Sequence, residues 1–184
     1  MNMMDNMQAF STFRSFERKI WAIGGGKGGV GKSLVTANTA IALANRGFKV
    51  VAVDLDLGGA NLHTCLGVGV PQKTLSDYIT GKANSMQELI VPTPIPNLGL
   101  ISGAQDEIGM ANLKNIQKNK IINSLNQLDA DFILVDLGAG TSNNTLDFFI
   151  AANRGIIVSL PEPTSIENVY RFIKSVFFRR LKMV

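Results

Sequence analysis

Cysteine and histidine are nearly absent: the 184 residues hold one of each, Cys65 and His63. A single cysteine excludes an internal disulfide and any paired-cysteine metal or cluster site, and it suits a reducing compartment. His63 and Cys65 stand one residue apart, but zinc takes about four ligands. No other histidine or cysteine exists to supply them. Charge is also scarce, with 17% of residues charged and a net charge of +4. So small an excess makes no case for a nucleic-acid surface and leaves one open. No apolar run reaches the roughly 18 to 20 residues that a spanning helix needs. The opening stretch, MNMMDNMQAFSTFRSFERK, lacks the basic start and apolar block of a secretory signal. Cytoplasm is the expected location.

Apolar residues and glycine are plentiful, at 46% and 18 residues, which suits an α/β protein with many tight strand-to-helix turns. The length fits one domain. Residues 1–18 read as an N-terminal extension, with Phe10, Phe13 and Phe16 spaced as one helical face would display them. The domain then runs from 19 to 184. KIWAIGG (19–25) reads as a buried strand, followed by a glycine loop and a helix, KSLVTANTAIALANR (32–46), that Gly47 ends. FKVVAVDLD (48–56) is the next buried strand, expected to pair in parallel with the first. After it come short helical candidates at 74–80 and 85–90, and a strand, NLGLISG (97–103). A helix at 115–128 leads into the strand DFILVDLGAG (131–140). The last elements are a helix at 142–153, a strand at 155–161 and a helical stretch at 164–184. Alternating strands and helices predict a doubly wound, mainly parallel sheet with helices on both faces.

Gly26 to Ser33 completes the pattern G-x-x-x-x-G-K-[ST], placed after a strand and before a helix. In such a loop, glycines let successive backbone N–H groups face phosphate oxygens, and the helix N-terminus adds its dipole. Gly26, Lys27, Gly28, Gly29, Val30, Gly31, Lys32, Ser33 and Leu34 are therefore the candidate nucleotide-binding residues. Lys32 is placed to reach the β- and γ-phosphates, and the Ser33 hydroxyl to ligate Mg²⁺. Carboxylates at strand ends strengthen the reading, because both Mg²⁺ and an attacking water need them. Asp54 and Asp56 close the second strand; Asp136 closes a later one, with Gly138 and Gly140 after it.

GKGGVGKS (26–33), DLDLGGANL (54–62) and DLGAG (136–140) together resemble the deviant Walker A ATPases of the MinD/ParA family, including its FlhG members. GGANLHTCLG and TLSDYITGK are closer in style to the MinD and FlhG branch than to plasmid-partition proteins. The resemblance implies a P-loop NTPase fold, ATP and Mg²⁺ as cofactors, slow ATP hydrolysis stimulated by dimerisation or a partner, and a role in spatial positioning. It gives Lys27 a job beyond the loop's own needs: to reach across a nucleotide-sandwich homodimer to the partner's ATP, supplying charge only once two subunits have met. Asp56 would then orient the attacking water and Asp54 would assist Mg²⁺ through a water. Asp136 would stand behind Mg²⁺, Gly140 would sense the γ-phosphate, and Asn61 would belong to the first switch segment.

Chains of that family continue past the position matching Val184, adding the adenine-recognition loop, so the expected fold lacks its C-terminal part. The rival reading is a nucleotide-binding regulatory module with little hydrolysis. The terminal helix is expected to pack on the sheet. Val169, Tyr170, Ile173, Val176, Phe177 and Leu181, flanked by Arg171, Lys174, Arg179, Arg180 and Lys182, also suggest contact with the inner membrane surface. DNA and an unidentified protein cargo remain open as partners.

Overall fold

The computed structural model describes residues 19–56, 59, 61–103 and 113–182. The extension at 1–18, with its three phenylalanines, lies outside the described residues.

Six strands form one sheet in the order β3-β4-β2-β5-β1-β6. They are β1 (Lys19–Gly24), β2 (Val50–Leu55), β3 (Val91–Pro92), β4 (Leu98–Ile101), β5 (Phe132–Leu137) and β6 (Arg154–Ile157). All pairings are parallel except β3 with β4. β2 and β5 are buried at every position, as strands covered on both faces must be, and this is why they read as continuous apolar runs. β1 and β2 run parallel as expected, but they are not neighbours. β5 lies between them and pairs with both.

The helices are α1 (Lys32–Ala44), α2 (Leu62–Cys65), α3 (Leu75–Ile79), α4 (Asn115–Leu125), α5 (Asn143–Ala151) and α6 (Pro163–Leu181), with a 3-10 turn at Met86–Leu89. α1 and α2 cover one sheet face, where Ala37, Ala40, Leu43 and Leu62 pack on Ile23, Ala52, Leu100 and Leu134. Alanine at every third or fourth position lets α1 approach the sheet closely. On the other face Leu75, Tyr78, Met86, Leu89, Ile121, Leu125 and Phe148 pack on Val51, Val53, Ile101, Ile133 and Val135. The doubly wound expectation is met.

α6 docks through Phe172, which is fully buried and stacks edge-on against Phe149 of α5. A second tie is ionic. Asp147 of α5 accepts hydrogen bonds from Arg179, Nε to Oδ1 at 2.8 Å and Nη2 to Oδ2 at 3.0 Å, and the same Oδ2 also binds Lys118 of α4. Burial would raise the Asp147 carboxyl, but the Arg179 and Lys118 hydrogen bonds and charges hold it below its ordinary value. Arg179 is therefore committed to the protein body rather than free for a membrane. Val169 and Val176 are half-buried, whereas Ile166, Tyr170, Ile173, Phe177 and Leu181 are exposed. Among the described residues no helix is long and apolar enough to cross a membrane.

Candidate phosphate and metal site

β1, β2 and β5 end side by side, and their C-terminal ends carry the site. Parallel pairing sets Asp54 of β2 opposite Asp136 of β5, and Ile23 of β1 opposite the same Asp136. The glycine loop leaves β1 and enters α1, with Gly29 at φ 75° and Gly31 at φ 93°. L side chains rarely adopt that region, so these two glycines make the turn possible. A Cβ on either would meet no protein atom within 4 Å, so nothing crowds the loop at these two turns. Val30 is buried beneath it, and Leu34 is exposed on the outer side of α1.

Lys32 opens α1 and is 8% exposed. Behind it lies a compact polar group. The Asp136 carboxylate, 1% exposed, accepts hydrogen bonds from the hydroxyls of Ser33 and Thr36, the latter at 3.1 Å. The same hydroxyl lies 3.0 Å from the Lys32 carbonyl, so its single proton is shared between the two acceptors. Burial pushes the Asp136 carboxyl up; the two hydroxyls and the Lys32 charge pull it back. Thr36 was missed by the motif, which ends at Ser33, although its place one helical turn after Lys32 turns it toward the sheet.

Asp54 is also buried, and its two oxygens accept the N–H groups of Asp56 at 3.0 Å and Leu62 at 3.0 Å. Burial raises its carboxyl to about 7 despite those bonds, with nearby Asp136 and Asp56 adding to the rise. Asp54 thus closes its own loop from β2 to α2. Asp56 is half-buried and leans on the second glycine loop: a Cβ at Gly138 would lie 3.2 Å from its Oδ1. Asn61 donates to the Gly59 carbonyl at 2.8 Å and is exposed. Gly140, at φ 83°, donates its N–H to the Gly25 carbonyl at 3.2 Å. The structure therefore brings Lys32, Ser33, Asp54, Asp56, Asp136 and Gly140 to one end of the sheet.

Lys27 differs from Lys32. Its side chain is 47% exposed and its Nζ lies 3.9 Å from Glu162 Oε2. Glu162 had no motif to announce it, being far away in sequence at the start of α6. Cys65 is exposed as a residue, but the partial desolvation of its thiol, and after it the Asp136 and Asp54 charges, push the thiol up, which argues against a nucleophilic role.

An open loop of N–H groups, a buried lysine, a hydroxyl at the helix start and a buried carboxylate behind it fit a magnesium nucleotide. A family model described as "ParA: NUBPL iron-transfer P-loop NTPase" matches residues 17–184. The chain belongs to the MinD/ParA family of P-loop NTPases. Iron in that description belongs to the family model; the single cysteine here offers no paired thiolates. Antiactivator FleN of Pseudomonas aeruginosa is 36% identical over 85% of this chain and 55% of its own length. The flagellum site-determining protein YlxH of Helicobacter pylori is 34% identical over 93% and 60%. Among solved structures, MinD of Pyrococcus horikoshii, complexed with Mg-ADP, has a TM-score of 0.77 at 33% identity over 89% of this chain and 66% of that one. Cobyrinic acid a,c-diamide synthase of Mycobacterium smegmatis, at 22% identity and a TM-score of 0.74, shares the fold. The chain spans 55% to 66% of these first two relatives and of the Pyrococcus MinD. ATP and Mg²⁺ are the cofactors of the family.

Proposed function

We propose that this chain is a MinD/ParA-like ATPase that binds Mg-ATP, pairs with a second copy around it, and hydrolyses it slowly as part of a spatial-positioning system. The observation that carries the reading is the division between the two loop lysines, one buried against Asp136 and Thr36 and the other half-exposed at the rim. A lysine at the rim is placed to meet phosphates that approach from outside its own subunit.

In this reading the backbone from Gly26 to Gly31 cradles the phosphates, Lys32 binds the β- and γ-oxygens, and Ser33 with Asp136 holds Mg²⁺. That ion would neutralise charge on the phosphoryl oxygens. Asp56 would orient the attacking water, since it alone of the strand-end acids combines partial exposure with contact to the second glycine loop. Asp54 braces the loop that carries Asp56 and Asn61. Gly140 presents the γ-phosphate sensor, and Lys27 adds charge in trans. Relatives named for flagellar-site and septum-site determination support a positioning role; the site lies on the cytoplasmic side, with membrane, DNA or a protein cargo as the surface served.

Light scattering on Asp56→Ala tests the reading. Blocking hydrolysis should preserve an ATP-bound pair, so its molar mass should double with Mg-ATP and not with Mg-ADP. A monomer with both nucleotides, despite measured ATP binding, overturns the switch and leaves a nucleotide-binding regulatory module.

A further inference from the structure

We infer that Glu162 is a positioning residue for Lys27: its carboxylate holds the lysine over its own subunit in the unpaired chain, and pairing around ATP must release it. The consequence for pairing rests on the dimer reading above.

The start of α6 is fixed against the phosphate loop. A Cβ at Gly26 would lie 2.3 Å from the Asn168 carbonyl oxygen, so backbone meets backbone there. Pro163 sets the first turn of the helix, and Ser165, 1% exposed, accepts the Leu160 N–H at 3.0 Å and so ties the approach to the helix. Glu162 therefore sits at a defined place beside Lys27. Its carboxylate caps no helix N–H, leaving it available to a cation. A carboxylate at the rim of a phosphate site opposes anion binding unless it serves a cation, and Lys27 Nζ at 3.9 Å is that cation.

The two side chains are 47% and 54% exposed, so water screens the pair and its effect is small. An exposed pair shifts a local equilibrium by about twofold, up to about fivefold at best. A dimer uses two such lysines, so a twofold effect per subunit becomes about fourfold in the dimer dissociation constant. That suits a trimming device rather than a lock.

Two readouts on the full chain test this. First, sparse acetylation of the nucleotide-free chain, read by mass spectrometry at Lys27, should rise about twofold in Glu162→Gln, because an amine no longer held beside a carboxylate spends more of its time open to the reagent. Second, in the Asp56→Ala background with Mg-ATP, Glu162→Gln should tighten dimerisation about fourfold, and the gain should vanish when Lys27→Ala is added. Unchanged acetylation overturns the inference whatever the dimer does. Raised acetylation with weaker dimerisation also overturns it, since Glu162 would then contact the partner instead. A chain that stays monomeric in every variant, though it binds ATP, overturns the dimer reading of the function; acetylation alone then decides whether Glu162 holds Lys27.

Discussion

At the scale of single residues, Gly26 and Gly28 make contrasting demands within one loop. An alanine Cβ at Gly26 would meet the backbone of Asn168 at 2.3 Å, whereas at Gly28 its nearest neighbour is Ala139 Cβ at 3.9 Å. A helix carbonyl cannot swing aside as a side chain can, so either α6 or the loop must shift. Gly26→Ala is expected to cost about 2 kcal/mol in urea unfolding without nucleotide, and to weaken nucleotide binding as the loop is displaced. Gly28→Ala should stay within about 0.5 kcal/mol. Equal destabilisation by both would mean that α6 does not bear on the loop. The loop residues were legible because a phosphate cradle needs a fixed local spacing of glycine, lysine and hydroxyl. Glu162 and Thr36 were not: the first meets Lys27 only through the path of α6, and the second lies beyond the motif on a helix face whose sheet contact depends on the fold.

At the scale of elements, three helices depend on one buried carboxylate. Asp147 on α5 binds Lys118 of α4 and Arg179 of α6. Lys118 is 5% exposed and would be left buried and unpaired without it. Asp147→Asn is expected to destabilise the chain by about 3 kcal/mol at pH 7. The pH dependence has a definite sign. The folded carboxyl lies below its ordinary value of 3.8, so the native state holds fewer protons than the unfolded chain as the pH passes downward through that value. The contribution is complete above 3.8 and fades below it, so the gap between the two proteins should close in the acid limb of a urea midpoint-versus-pH series. A gap that stayed constant to pH 2 would assign it to packing instead. Most elements were legible, since burial on both faces gives strands their apolar runs and a single contact face gives helices their period. β3 was missed because two residues with a proline make an edge, not a pattern. Arg179 read as one cation among several on a terminal helix, because its partner on α5 is visible only once the helices pack.

At the scale of the whole molecule, alternation of strands and helices predicts a parallel sheet but not the strand order. Inserting β5 between β1 and β2 brings Asp136 beside Asp54 and beneath Lys32, and that order comes from long-range pairing that no local pattern encodes. In the proposed reading the nucleotide would lie where three strand ends, the start of α1 and the start of α6 converge, so binding should stabilise the domain globally. Mg-ADP at about 100 times its dissociation constant should add about 2.7 kcal/mol, or about 5 to 10 °C in Tm for a domain of this size. Because the ADP form is monomeric in the proposed cycle, that shift should not depend on protein concentration. With Mg-ATP in the Asp56→Ala background a second increment should appear and grow with protein concentration, since association is then linked to folding. Lys32→Ala should lose both increments; Lys27→Ala should keep the first and lose the second. Thermal unfolding across a hundredfold range of protein concentration, about two decades of mass action, separates these outcomes. An ATP increment that is flat with concentration would place the whole effect of Lys27 within one subunit.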